Sequence, residues 1–135
     1  MKNNILNLTL SLIMLFSFTA CKKKTIEKGI NGTWELRYVA GGQIAGADPN
    51  YKKGNGDIYI FNNQNFERYS KGKVIQSGTF VITTERKDIN NNQANSAITF
   101  STSTEKYYTN LTGDKLTIFI GVIAADGVEV TYERL

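Results

Sequence analysis

The sequence predicts an all-β protein, built as an eight-stranded antiparallel up-and-down β-barrel. From Asn31 onward, apolar and polar residues alternate with period two in runs rich in β-branched and aromatic side chains. Gly, Asn and Asp residues bound these runs as turns, and no helical stripe competes with them. Eight strands suffice for an up-and-down sheet to close and remove its edges. A seven-stranded open sandwich is the competing fold.

The turn residues between the runs place the strands in order. Short connections with turn chemistry are expected at 62–65, 70–73 and 112–115. The longer stretch 41–56 is typical of a lid or binding loop, and the asparagine-rich stretch 85–95 is expected to be a solvated loop. The predicted strands are 33–40, 57–62, 66–70, 73–84, 97–101, 106–112, 115–121 and 127–135.

The alternation also assigns faces, because successive side chains of a strand point to opposite sides of the sheet. Glu35 and the other strand glutamates are expected to face solvent. The residues expected to share one face are Trp34, Leu36 and Tyr38 in the first strand, Val74, Gln76, Gly78, Phe80 and Ile82 in the fourth, Leu116, Ile118 and Ile120 in the seventh, and Val128, Val130, Tyr132 and Arg134 in the last.

The fragment Gly32, Thr33, Trp34 and an arginine near the end of the last strand, Arg134, together resemble the small lipocalin-like lipoproteins of Gram-negative bacteria. With eight alternating strands, the first begins and the last ends at the same end of the barrel. The resemblance implies that Trp34 plugs this closed end and that Arg134 packs across its ring, a cation–π contact of about 0.5 to 2 kcal/mol.

The resemblance also implies that the opposite, open end admits a small hydrophobic ligand, with the first long loop guarding the mouth. A barrel filled by its own aromatic side chains is the alternative, because the domain is short. The candidate ligand-binding residues are Tyr38, Ile44, Tyr51, Tyr59, Phe80, Phe100, Tyr107 and Phe119.

The first 20 residues are expected to be a signal peptide, since Lys2 precedes an apolar run too short to span a membrane. The stretch ending in Ala20 and Cys21 resembles a bacterial lipobox, which implies that Cys21 is lipidated with acyl chains such as palmitate. A plain secretory signal is the alternative.

With a lipidated Cys21, residues 21–30 are a lipidated anchor and basic tether, and residues 31–135 are the barrel. Because Lys22 and Lys23 replace the inner-membrane retention aspartate, an outer-membrane lipoprotein on the periplasmic face is expected.

Charge and composition exclude several functions. Residues 29–135 contain 11 basic and 11 acidic residues, so no basic face for nucleic acid is expected. The chain has no His and one Cys, which excludes metal sites built from histidine or cysteine clusters, imidazole-dependent catalysis and an internal disulfide.

We therefore expect a monomeric, non-enzymatic protein without cofactor or metal that binds a small hydrophobic ligand. The alternative is a protein-binding module, an envelope inhibitor or assembly factor, with a solid barrel core.

Overall fold

A computed structural model describes residues 29–42 and 46–135. This part of the chain is all-β, with one turn of 3-10 helix at Ile123–Ala125. The strands are β1 (Gly32–Gly41), β2 (Ile58–Asn62), β3 (Asn65–Ser70), β4 (Lys73–Ile89), β5 (Asn92–Phe100), β6 (Lys106–Thr112), β7 (Lys115–Ile120) and β8 (Val128–Arg134).

The sheet closes into an antiparallel up-and-down barrel in which each strand pairs with its neighbours in the sequence and β8 returns to β1. The predicted eight-stranded barrel is therefore confirmed and the open sandwich is excluded. Trp34 on β1 lies opposite Arg134 on β8. We call the end that contains this pair the closed end, and the end formed by residues 46–57, 71–72, 101–105 and 121–127 the open end.

Aromatic rings pack against one another in the barrel interior. Phe61 contacts Phe80 with 5.0 Å between ring centroids, and Phe66 contacts Phe100 at 4.6 Å. Tyr59 stacks above them, 5.4 Å from Phe61. Aromatic pairs of this geometry add about 0.5 to 1.5 kcal/mol each beyond the burial of their area. These rings therefore form a packed aromatic core.

Two β-bulges change the faces predicted from simple alternation. In β1, Leu36 pairs with Tyr132 and Tyr38 with Thr131, so Arg37 is an extra residue. The bulge turns Val39 toward the core and leaves Tyr38 40% exposed, which makes the predicted inward position of Tyr38 wrong.

A similar bulge in β4 makes Ile75 the extra residue between Val74 and Gln76. Gln76 stays opposite Arg68, whereas Val74 is 55% exposed and leaves the predicted inward set.

The predicted loop 85–95 is in fact the distal half of the β4–β5 hairpin. Asn90 and Asn91 form its two-residue turn, with φ of 53° and 60°. Asparagine tolerates this left-handed region better than most residues, and a type I′ turn needs it at both central positions. The asparagine-rich stretch is therefore a tight turn rather than a solvated loop.

This hairpin tip folds over the outer face of the barrel. The Asn92 amide donates to the Glu129 carboxylate on β8 at 3.0 Å, and the Asn90 side chain accepts from the Ile123 amide at 2.9 Å. Ile118 faces the interior, so the next residue, Phe119, points outward. Phe119 lies beneath the hairpin and is only 2% exposed. The hairpin covers an outward apolar residue that would otherwise face solvent.

Candidate binding cavity at the open end

A cavity of about 180 Å³ lies inside the barrel on the open-end side of the packed aromatic rings. Its walls are inward side chains of β2 to β8, together with one residue of the 101–105 connection. Three aliphatic residues of β7 and β8 form one wall: Ile118, Ile120 and Val130. Four aromatic and three polar residues complete the lining: Tyr59, Phe100, Tyr107, Tyr132, Arg68, Gln76 and Ser103.

Tyr59 and Phe100 form the floor, with ring centroids 5.9 Å apart. Below them, Phe61 and Phe66 contact these floor rings and Phe80 contacts Phe61; none of the three lines the cavity. Packed aromatic rings therefore lie directly beneath the floor of this cavity. Ile120, 41% exposed, stands at the rim.

The polar wall is made by neighbouring positions on β3, β4 and the 101–105 connection. Arg68 lies opposite Gln76 in the sheet, and its guanidinium carbon is 5.5 Å from the centroid of the Tyr59 ring. The Gln76 amide donates to the Thr102 hydroxyl at 2.7 Å, and the Ser103 and Tyr107 hydroxyls lie 3.2 Å apart. Gln76 and Ser103 are therefore held in place by hydrogen bonds.

Two tyrosine hydroxyls in the cavity stay protonated over the physiological range. Burial raises the pKa of Tyr132 far above its ordinary value, and burial also raises that of Tyr59, against the opposing effect of the nearby Arg68 guanidinium. Neither group is suited to act as a base near neutral pH. Both can serve as neutral hydrogen-bond donors or acceptors.

A second cavity, of about 220 Å³, adjoins the first where β1 and β2 separate beyond Glu35 and Ile58. It shares Arg68, Val130 and Tyr132 with the first cavity. The additional lining residues are Leu36, Val39, Tyr51, Asp57, Ile58 and Tyr69.

The first long loop is fixed against β1 over its described part. The Tyr51 amide donates to the Arg37 carbonyl at 2.8 Å, and the Val39 amide donates to the Pro49 carbonyl at 2.9 Å. The Gly54 amide donates to the Glu35 carboxylate at 2.8 Å. Residues 49–54 therefore form an ordered side of the mouth.

This loop buries Glu35, which is 2% exposed and forms a 2.6 Å ion pair with Arg37. The expectation that Glu35 faces solvent was wrong, because the loop covers the outer face of β1 at this point. Burial by itself would raise the pKa of the Glu35 carboxyl. The hydrogen bonds from Arg37 and Gly54 outweigh burial and hold that pKa below its ordinary value.

The structure distributes the eight predicted ligand-binding residues over several places. Tyr59, Phe100 and Tyr107 line the cavity, and Tyr51 lines the adjoining one. Phe80 belongs to the core below the floor, Phe119 lies on the outer face under the hairpin, and Tyr38 is on the outer side of the β1 bulge. Ile44 and Cys21 lie outside the described residues.

Sequence reasoning missed the other lining residues because it considered mainly aromatic side chains. Alternation did place Ile118, Ile120, Val130 and Tyr132 on inward faces, so the signal for the apolar wall was present. Every second residue of a strand shares one face, so Arg68 is on the same inward face as Phe66, two positions before it.

The closed end joins the first and last strands through several contacts. The Arg134 guanidinium lies 4.1 Å from the centroid of the Trp34 ring, so the predicted contact is present. The indole donates to the Ile30 carbonyl at 2.7 Å, and Arg134 donates to the carbonyls of Gly29 and Asn31. Residues 29–31 are thereby bound to the closed end.

The conformation and surroundings of Gly32, two residues before Trp34, favour glycine over other residues. Its φ of +137° is one that residues with a Cβ rarely adopt. A Cβ at this position would also collide with the Arg134 guanidinium. The glycine therefore makes room for the stacked arginine.

Comparisons with protein-family models, with curated proteins and with solved structures give no match. Residues 29–42 and 46–135 contain no group of three or more His, Cys, Asp or Glu side chains able to hold a metal ion. Within the same described part, no helix is long and apolar enough to cross a membrane.

Proposed function

We propose that this protein is a lipid-anchored component of the cell envelope whose lipocalin-like barrel binds a small hydrophobic molecule at its open end. Residues 1–20 would be removed as a signal peptide, and Cys21 would carry the acyl chains that hold the protein at the outer membrane, facing the periplasm. The observation that best supports binding is the cavity with an aliphatic wall and an aromatic floor.

The size of the cavity limits the ligand. An engineered cavity of about 150 Å³ in another protein binds benzene, whereas pockets for drug-sized ligands are about 300 Å³ or more. The 180 Å³ here matches the smaller class. The proposed ligand is one ring or a short alkyl chain, with the adjoining cavity as the space into which a longer chain could extend.

The entry of the chain supports an arrangement on the membrane. Gly29, eight residues after Cys21, is bound to Arg134 at the closed end. A lipid on Cys21 would therefore be joined to the barrel at its closed end, opposite the mouth. A ligand could then enter from the aqueous side.

Binding is tested with the full chain in phosphatidylcholine nanodiscs, with empty nanodiscs as the blank. Saturation-transfer NMR is recorded with toluene, hexanol, benzoate and hexanoate. Ile120→Trp should abolish the protein-dependent signal, because the larger ring fills the mouth from the rim. The matched control, Val81→Trp, changes an exposed outer residue of β4 and should retain it. No protein-dependent signal from any of the four probes would refute the proposal.

The anchor is tested separately by intact-mass measurement of the membrane-extracted protein. We expect a chain that begins at Cys21 and carries added acyl mass, and we expect Cys21→Ser to remove both that mass and the membrane association. An unmodified Cys21 would refute the lipid anchor without affecting the binding proposal.

A protein-binding role is the second candidate, and one specific observation favours it. Four apolar side chains at the open end face solvent: Val74, Ile75, Val122 and Ile123 are between 37% and 55% exposed. Val74 and Ile75 lie on β4, and Val122 and Ile123 lie in the β7–β8 connection. Exposed apolar surface of this kind is typical of protein contact sites. Replacing Ile75 and Val122 by Ser should abolish such an association and leave binding of the small probes unchanged.

A further inference from the structure

We propose that the ligand of the open-end cavity is a small monocarboxylate, whose acid group binds Arg68 and whose apolar body lies against the β7–β8 wall. This inference rests on the proposed binding function and specifies the chemical class of the ligand.

The cavity has two chemically different sides. Ile118, Ile120 and Val130 present only carbon atoms from β7 and β8. Across the cavity, Arg68 and Gln76 present a guanidinium and an amide from β3 and β4. A wholly apolar molecule would cover these polar groups without replacing their hydrogen bonds to water, which costs free energy. An amphipathic molecule satisfies both sides.

Arg68 supplies a positive charge that the neighbouring protein groups leave available. Its guanidinium lies over the Tyr59 ring, and no carboxylate in residues 29–42 and 46–135 lies within ion-pair distance of it. Arg37 and Arg134, by contrast, pair with Glu35 and Asp114. Arginine stays protonated in proteins and its donors match the two oxygens of a carboxylate.

The number of charged side chains in the cavity lining and the volume of the cavity both favour a ligand with one carboxylate group. Arg68 is the one charged side chain that lines the 180 Å³ cavity within the described part of the chain, so a single negative charge is matched. A carboxylate on a ring or on a chain of about six carbons has this charge and approximately this size. Asp57 lines the adjoining cavity together with Arg68, which disfavours more highly charged anions.

The inference is tested by comparing hexanoate with hexanol on the full chain in nanodiscs, with dissociation constants from NMR titration at low ionic strength. Because Arg68 is partly exposed, solvent screens its charge, and we expect hexanoate to bind about fivefold more tightly than hexanol. Arg68→Gln should remove this difference by weakening hexanoate binding more than hexanol binding. Lys73→Gln, which removes an exposed charge at the same end, should preserve the difference.

The outcomes separate the two proposals. If hexanol and hexanoate bind equally to the wild type, the carboxylate inference is overturned and the binding function stands. If neither binds, the binding function itself has failed. If Arg68→Gln weakens both probes by the same factor, with an unchanged circular dichroism spectrum, Arg68 shapes the cavity instead of pairing with the acid, and the inference is again overturned.

Discussion

Replacing Arg134 by Met tests the contact that joins the two ends of the chain. Methionine keeps the unbranched, apolar stem of the side chain, although it is shorter than arginine, and it removes the charge and the donors. The guanidinium lies 4.1 Å from the Trp34 ring centroid, and its side chain is only about one-tenth exposed. It also donates to the carbonyls of Gly29 and Asn31.

The loss in the free energy of unfolding expected for Arg134→Met is the sum of what these contacts contribute. A largely desolvated cation–π contact is taken as about 1 kcal/mol. Two hydrogen bonds from a charged donor are taken as about 1 kcal/mol each, below the range of about 1.5 to 3 kcal/mol for charged groups, because water can reach the exposed Gly29 carbonyl. The ion pair with Asp114 adds little because that carboxylate is 72% exposed. The free energy of unfolding should therefore fall by about 3 kcal/mol, which lowers the melting temperature by roughly 12 °C or more.

The assay is urea unfolding of the full chain followed by far-ultraviolet circular dichroism, because Trp34 fluorescence would report the substitution itself. Asp114→Asn is the matched control and should change the free energy of unfolding by less than about 0.5 kcal/mol. A loss below about 1 kcal/mol for Arg134→Met, or an equal loss for Asp114→Asn, would show that the stacked guanidinium does not secure the closure.

Three further predictions concern stability. Gly32→Ala should destabilise the fold by at least about 2 kcal/mol in the same urea assay, because it combines an unfavourable φ with a collision against Arg134; an unchanged midpoint would contradict this. Phe119→Ala should cost about 3 kcal/mol, as for a core phenylalanine, and a near-neutral result would mean that the hairpin does not cover this ring. Glu35 stabilises the fold above its ordinary pKa, and this contribution should be lost as pH falls through its lower, folded-state pKa. Thermal melts between pH 3 and 6 should therefore be flatter for Glu35→Gln than for the wild type, and parallel curves would exclude the carboxylate as the cause.

Barrel closure was predictable because it depends on little more than a count. An even number of antiparallel segments returns the chain to the end where it started, whatever the details of each strand. The alternation gave enough segments to establish that number, and the pairing of Trp34 with Arg134 followed from it. A one-residue error at a strand boundary does not change this conclusion.

The bulges could not be read from the alternation. Around Arg37 the residues Leu36, Tyr38 and Val39 suit either face of a strand, so the local pattern does not record which residue is extra. Because the side-chain period is two, one inserted residue moves every later side chain to the opposite face. The prediction for Tyr38 failed for this reason.

The burial of Phe119 and Glu35 also lies beyond local patterns. Both residues are on outward positions, and each is covered by an element distant in the sequence, the β4–β5 hairpin in one case and the first loop in the other. The hairpin itself had a local signal, because Asn90 and Asn91 are residue types that a type I′ turn accepts. Arg68 had one too, since it follows the inward Phe66 by two positions.

A small ligand bound inside the open end should lie against the β7–β8 wall. The most direct measurement is a methyl-selective nuclear Overhauser spectrum of the isotope-labelled full chain with hexanoate. We predict contacts from the hexanoate methyl group to the methyl groups of Ile118 and Val130, and none to the outer Val81. Contacts only to exposed methyl groups such as those of Val81 and Val74, and none to Ile118 and Val130, would show that hexanoate binds outside the cavity.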